Sequence, residues 1–329
     1  MLSLSIIVLL ALIFNFINGF HDTANAVAGS VSTRVLTPKQ AITMAAVLNM
    51  AGALVSTKVA ATIGKGIVSP QFIDTKTIIG ALLAAIIWNL LTWYYGLPSS
   101  SSHALIGGIV GSVAAKNGFA VLNYHELINK VVLPLLVTPI VGFAAGFGLM
   151  IILLWIVRGI SPRRVTRYFS RLQILSAVFM AFSHGSNDAQ KSMGVIAVAM
   201  LSAGYLQKFS VPLWVIIACA LSMAAGTSLG GWRIIRTIGS KIMRLEPING
   251  FASDTASSLV ILVSSVFGAP VSTTHIVSSA IMGVGATKRA RAVRWGVAIN
   301  IVSAWVLTLP ITGLIGAVCY YLVNQMPIG

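Results

Sequence analysis

Long apolar runs alternate with short polar joints from one end of the chain to the other. In the first half the apolar stretches are 2–18, 39–57, 76–95, 103–116 and 127–157; in the second they are 172–184, 195–205, 211–231, 255–268, 276–286 and 290–323. Several exceed the roughly 20 residues that a helix needs to cross a bilayer, and several fall short. The short ones flank polar motifs. Stretches 2–18 and 172–184 each run into a Gly/Asn/Asp cluster and then resume apolar character to about Val31 and Tyr205, which predicts a helix broken within the membrane in each half. Stretches 76–95 and 255–268 meet a Gly-x-Pro break and continue as 103–116 and 276–286. These predict broken helices or re-entrant hairpins, which are tolerated only where protein or a wet cavity surrounds them. The expected fold is an all-α polytopic membrane protein with about ten to twelve membrane elements.

The polar motifs occur twice. GFHDTANAVAGSV (Gly19 to Val31) and GLPSSSSHALIGGIVG (Gly96 to Gly111) in the first half match GSNDAQKSMGVI (Gly185 to Ile196) and GAPVSTTHIVSSAIMG (Gly268 to Gly283) in the second. Asp22 pairs with Asp188, Pro98 with Pro270, and His103 with His275. Duplicated halves with polar breaks inside apolar segments mark a secondary transporter whose site lies at the repeat interface. The joint from Lys116 to Lys130 carries two Lys and one Glu, whereas its counterpart Thr287 to Arg294 carries four basic residues in eight. Basic joints stay on the cytoplasmic side, so equivalent joints on opposite sides predict inverted repeats. The expected division is a first repeat over 1–157, a basic cytoplasmic linker over 158–171 and a second repeat over 172–329. The opening stretch Met1 to Ile17 has no basic n-region and reads as a retained membrane segment rather than a signal peptide.

Composition agrees: 57% of residues are hydrophobic and 9% charged, against about a quarter charged in soluble domains. The 22 Lys and Arg against six acids cluster in joints between spans, such as Arg158, Arg163, Arg164, Arg167 and Arg171. That placement argues for positive-inside loops and against nucleic-acid binding. Cys219 and Cys319 sit in apolar runs as packing thiols. No nucleotide-binding motif or phosphoacceptor constellation occurs, so the chain is not expected to be an enzyme, and an ion gradient is the expected energy source.

Three acids, Asp22, Asp188 and Asp254, lie inside apolar stretches. A carboxylate there costs roughly 2.5–3.5 kcal/mol on insertion scales and should face a cavity or a cation. Amides and hydroxyls surround the first two, and a break in each helix would free carbonyls. That oxygen-rich set, with Asp22, Asn25, Asn187 and Asp188 at its centre, suits a small hard cation such as sodium; Thr23, Ser183, Ser186 and Gln190 lie beside it. Interhelical polar bonding explains scattered polar residues well, but a duplicated Asp-centred cluster poorly. Asp254 would either pair with a basic residue or help hold an ion. Lys191, three residues after Asp188, would either neutralise it or contact an anion. The Pro-hydroxyl-His motifs read as helix starts whose unpaired N–H groups and hydroxyls favour an oxyanion. The candidates are Ser100, Ser101, Ser102, Ser272, Thr273 and Thr274. His103 and His275 would donate to that site or hold the loop. A zinc site is not expected, because the histidines are spread and no cysteine accompanies them.

At GFHDTANAVAGSVSTRVLTPKQA, FSHGSNDAQKSMGVIA, GLPSSSSHA and GAPVSTTHI the chain resembles the inorganic phosphate transporter family, over nearly its full length. The resemblance implies a multi-pass protein of the cytoplasmic membrane, commonly dimeric, that carries phosphate with sodium or protons by alternating access. Sodium is the expected coupling ion, as a co-substrate and not a cofactor. The family also includes sulfate carriers, so a sulfate symporter on the same fold is the nearest alternative; an anion channel is the alternative of another class. Where the family usually has Asn-Asp in the first motif, this chain has His21-Asp22, which removes one amide.

Overall fold

The computed structural model describes residues 2–66 and 72–326, so the last three residues of the second expected repeat lie outside it. Thirteen α-helices are formed among the described residues, and no strand. The first seven are α1 (Leu2–Ser32), α2 (Pro38–Ala53), α3 (Lys58–Gly66), α4 (Thr75–Tyr95), α5 (Ser101–Asn117), α6 (Tyr124–Leu127) and α7 (Leu133–Val157). The remaining six are α8 (Pro162–Ser202), α9 (Leu213–Leu229), α10 (Trp232–Arg236), α11 (Pro247–Val266), α12 (Thr273–Lys288) and α13 (Trp295–Asn324). Among the described residues, four helices can span a bilayer by length and hydropathy alone: Ser3–Ser32, Thr75–Tyr95, Leu133–Val157 and Trp295–Asn324. Leu213–Leu229 with Trp232–Lys241, bent by 62° at Gly230-Gly231, makes a fifth. The other helices are shorter or carry the polar motifs.

The helix starts follow from local chemistry. Asp74 caps α4, its carboxylate accepting from Thr77 N. Ser100 caps α5 and Ser272 caps α12, each hydroxyl accepting the backbone N–H of the third helical residue, His103 or His275. A cap of this kind stabilises a helix by about 1 kcal/mol. The two expected Gly-x-Pro breaks are present. Gly96 ends α4 with φ 65° and Gly268 follows α11 with φ 70°, a left-handed turn that glycine adopts without a Cβ clash.

The expected breaks at the Gly/Asn/Asp motifs do not occur. Helix α1 runs through Gly19–Asp22 and α8 runs through Gly185–Asp188 without interruption. Neither motif contains proline; His21, Asn25 and Asn187 bond to other elements, while Thr23 and Ser186 donate to carbonyls of their own helix, a back-bond that a helix tolerates. The glycines serve packing instead. A Cβ on Gly19 would collide with Met223 O, and one on Gly226 with Phe16 O. In the other half a Cβ on Gly185 would collide with Asn49 O, and one on Gly52 with Phe182 O. These four glycines let α1 press on α9 and α8 on α2. The basic stretch 158–171 is likewise mostly helix: from Pro162 onward it forms the first turns of α8.

Packing repeats in the same crossed manner throughout. Helix α5 packs on α13 as α12 packs on α7, and α4 touches α13 as α11 touches α7. Helices α4 and α5 form one hairpin, α11 and α12 the other. Each hairpin is clasped at its outer end by an ion pair at matching positions: Lys116 Nζ lies 2.8 Å from Asp74 Oδ2, and Lys288 Nζ 2.7 Å from Glu246 Oε2. Each hairpin's inner end is capped by a cation from a short helix. Lys58 Nζ donates to Val266 O at 3.2 Å, and Arg233 Nη1 donates to Tyr94 O. Helices α1 and α8 pack on each other at the centre, which brings the two Asp motifs together.

Candidate functional site

Three elements from each half converge on the α1–α8 crossing: the Asp motif itself and the two ends of the hairpin break. Asp22 and Asp188 are 3% and 0% exposed. One carboxylate oxygen from each, with one ring nitrogen of His184, lie within 4.8 Å of one another. The two motifs therefore build one shared centre rather than two separate ones.

Around Asp22 the neighbours are hydroxyls and an imidazole. Ser101, in the first turn of α5, donates to Oδ2 at 3.2 Å. Thr274, in the first turn of α12, donates to Oδ1 at 3.4 Å. His21 Nδ1 lies 2.7 Å from Oδ1; since a carboxylate only accepts, that nitrogen carries the proton. The other ring nitrogen of His21 lies 2.9 Å from Thr92 Oγ1, near the end of α4. Asn187, the equivalent of His21 in the second half, donates to Ser265 Oγ at 2.9 Å and Ala269 O at 3.3 Å at the end of α11. The unusual histidine and its partner amide thus each tie an Asp motif to a hairpin.

Around Asp188 the neighbours are an ammonium, an imidazole and an amide. Lys191 Nζ is 2.8 Å from Oδ1, and His184 Nε2 is 3.7 Å from Oδ2. Asn18 Nδ2 donates to Oδ2 at 3.2 Å. Of the two expectations for Lys191, pairing with Asp188 is the one observed. Both partners are buried, Lys191 at 1% exposure, and a buried pair of this kind leaves a costly lone charge if either member is removed.

The hydroxyl motifs meet at the same place. Asn25 Nδ2 donates to Thr274 Oγ1 at 2.9 Å and to Thr273 Oγ1 at 3.3 Å, so α1 bridges to α12. Ser102 Oγ, on α5, donates to Val271 O at 3.4 Å, across the hairpin boundary. Both helix starts therefore lie at one region, their first-turn hydroxyls meeting at Asp22. Ser100 and Ser272 each accept one backbone N–H as caps, which leaves their O–H free to donate. The rings of His103 and His275 lie 5.1 Å apart, and His275 stacks on Trp305 at 4.1 Å. The Ser183 hydroxyl is buried with no hydrogen-bond partner among the described residues. Asp254 lies apart from this cluster, against Gly29.

Some residues named beside the site do other work. Gln190 Oε1 accepts from Val59 N at 2.8 Å and Ala60 N at 3.2 Å, capping α3. Thr23 Oγ1 donates to Gly19 O at 2.5 Å within α1, and Ser186 Oγ to Ser183 O at 2.8 Å within α8. Sequence reasoning missed His184 and Asn18. The signal was available: each precedes its motif's Asp by four residues, one helical turn. It was hidden by the expectation that the helix breaks there.

A model of the phosphate transporter family matches residues 18–316. A "Probable low-affinity inorganic phosphate transporter" of Bacillus subtilis (strain 168) is 47% identical over 324 residues, 98% of this chain and 97% of that protein. A protein of the same description from Rhizobium meliloti (strain 1021) is 46% identical over 96% of this chain and 95% of its own. A solved structure described as "The sodium-dependent phosphate transporter" superimposes with a TM-score of 0.91 at 25% identity, covering 99% of this chain and 100% of that one. These are transporters, not enzymes. With its long apolar helices and the family's motifs in place, this chain is a multi-pass membrane protein and belongs to the phosphate transporter family.

Proposed function

We propose that the chain is a sodium-coupled inorganic phosphate symporter of the cytoplasmic membrane, working by alternating access between two inverted repeats. One observation carries this reading: Ser101 and Thr274, first-turn residues of two different helices in different halves, both donate to the single carboxylate of Asp22. Helix starts supply anion donors, and a carboxylate supplies a cation ligand, so the anion and cation positions share a wall. In this arrangement Ser101, Ser102, Thr273 and Thr274, with the first-turn N–H groups of α5 and α12, hold phosphate. Asp22 and Asp188 hold sodium, with Asn25 and Asn187 bordering the centre. The cation offsets the anion's charge at close range and low dielectric, which is the physical reason for coupling.

The solved structure of similar fold is that of a transporter described as sodium-dependent, and the oxygen-rich surroundings of Asp22 support a metal cation over a proton relay. The basic joint at 287–294 against the sparser one at 116–130 supports inversion of the halves, and the crossed packing supports their moving as two bodies.

Proteoliposomes with an imposed sodium gradient and equal pH on both sides should accumulate labelled phosphate, and unlabelled phosphate inside should speed entry. Accumulation under a pH gradient without sodium, unchanged when sodium is added, would overturn sodium coupling. Absence of trans-stimulation would move an anion channel to the front.

A further inference from the structure

The two clasped ends of the bundle have different surroundings. Beside the first-half clasp of Asp74 and Lys116 stands Lys76, whose ammonium is taken up by the backbone and side-chain oxygens of Asn324, each at 3.2 Å. The second-half clasp of Glu246 and Lys288 borders a groove of about 310 Å³ between the end of α7 and the starts of α8 and α11. The groove has apolar walls, which include Leu154, Val157 and Val165, and a polar rim with Arg158, Thr166 and Lys288. Thr166 also borders a second hollow of about 610 Å³, whose other lining residues are Arg163, Arg164 and Arg167. An apolar slot therefore adjoins a basic one.

The basic groups have no counter-charge in the protein. The stretch 158–171 holds five arginines and no acid. Arg163, Arg164, Arg167 and Arg171 are exposed, and among the described residues none of them forms an ion pair. Glu246, the acid at the groove, is already held by Lys288 at 2.7 Å. The surface is also preformed. Its arginines stand on the first turns of α8, whose opposite face is anchored by Phe169, a buried ring that meets Phe251 edge-on at 5.4 Å. Exposed rings flank it: Trp155, with Arg158 over its face at 4.8 Å, and Tyr168. Aromatic and basic groups in company mark the headgroup level of a membrane.

A soluble polyanion would have no use for the apolar slot, and a neutral lipid would have none for the arginines. A molecule with an anionic phosphate head and an apolar tail satisfies both, since guanidinium groups pair well with phosphate oxygens and basic clusters beside a span attract anionic lipid. We propose that the α7–α8 corner is a docking site for one anionic phospholipid, its phosphate on Arg163, Arg164 and Arg167 and an acyl chain in the slot walled by α7 and α8. At the first-half clasp both lysines have oxygen partners, so the arrangement ties the site to one leaflet.

The test is binding of short-chain phosphatidylglycerol to the purified full-length protein in a non-ionic detergent, read by native mass spectrometry and by thermal unfolding. The wild type should retain one such lipid per chain and unfold at a higher temperature with it, while phosphatidylcholine of the same chain length does neither. Raising potassium chloride should weaken retention. The triple variant Arg163→Gln, Arg164→Gln, Arg167→Gln should weaken it at least about tenfold, since each basic residue at an anionic surface is worth about fivefold. Equal retention of phosphatidylcholine, or undiminished retention by the triple variant, overturns the proposal. Displacement of the lipid by an equal concentration of inorganic phosphate shows a free-anion site and overturns the lipid assignment. If the triple variant does not elute as a monodisperse species, Arg167→Gln alone carries the test, with a loss of about threefold or more expected; undiminished retention there overturns the proposal.

Discussion

Asp22 and Asp188 hold the same place in two copies of one motif, yet they are not in the same chemical situation. Asp188 has a fixed cation, Lys191, at 2.8 Å. Asp22 has hydroxyl donors and the ring of His21. The position of Lys191 in the second motif is that of Asn25 in the first, and Asn25 reaches instead for Thr273 and Thr274. The position of His184 is that of Asn18, which donates to Asp188 across the crossing. Duplication thus preserved the carboxylates and diversified their neighbours. One half supplies a carboxylate paired with a lysine of its own helix, and the other supplies one met by hydroxyls and an imidazole. A two-fold motif yields one asymmetric centre.

The sharpest way to break that comparison is to remove each charge in turn. Asp22→Asn should keep the fold and lower sodium-driven phosphate uptake at least about a hundredfold, the scale of losing about 3 kcal/mol from a charged ligand. Near-normal uptake at wild-type expression would remove Asp22 from the cation role. Asp188→Asn should also abolish uptake, but with a loss of stability that Asp22→Asn does not show, because it strands buried Lys191. Stranding a buried charge costs about 3–5 kcal/mol. Adding Lys191→Met to Asp188→Asn should recover much of the thermal stability without recovering transport; a double variant no more stable than Asp188→Asn would show that the pair is not the reason.

Selectivity should follow from Asp22 as well. Monohydrogen phosphate has a proton to donate to a carboxylate, and sulfate has none at neutral pH. A mismatched buried acceptor costs roughly 1–3 kcal/mol, so unlabelled sulfate should compete with labelled phosphate about ten- to a hundredfold less well than arsenate, which also carries a proton. Equal inhibition by sulfate and arsenate would favour the sulfate-carrier alternative. Smaller effects belong to the hydroxyls. Ser101→Ala and Thr274→Val each remove one donor and should raise the phosphate KM about two- to tenfold; if only one of them does, the anion leans on one helix start.

The smallest effect tests the symmetry far from the centre. Lys116→Met and Lys288→Met open equivalent clasps and should each cost less than about 1 kcal/mol, as exposed pairs do. Burial alone would raise the pKa of Asp74, but the hydrogen bonds from Lys116 and Thr77 outweigh it and hold the carboxyl below its ordinary value of 3.8. That clasp's contribution is therefore present above pH 3.8 and lost as the pH falls through the lowered value. Thermal unfolding of wild type and Lys116→Met should converge as the pH is taken below that point, and a constant difference would count against the pair.

Much of this molecule was legible from residue order. The spacing of apolar runs marked the long helices, because crossing a bilayer requires a continuous apolar length. The Gly-x-Pro breaks were readable because proline and left-handed glycine act locally. The duplication exposed Asp22 and Asp188, since an unneeded buried carboxylate does not appear twice at matching positions. The short helices α3 and α10 were not legible, because neither has an apolar run of its own and each is positioned by neighbours such as Gln190. Nor was the continuity of α1 and α8. Gly19 and Gly185 look the same in sequence whether they bend a helix or let another helix press close, and only the presence of α9 and α2 against them decides. The sequence by itself determined which groups are charged, polar or apolar and where the backbone must turn, since those are properties of single residues and their near neighbours. Tertiary structure alone decided that the two motifs share one centre and that Asp254 stands opposite Gly29, since each depends on contacts between helices far apart in the chain.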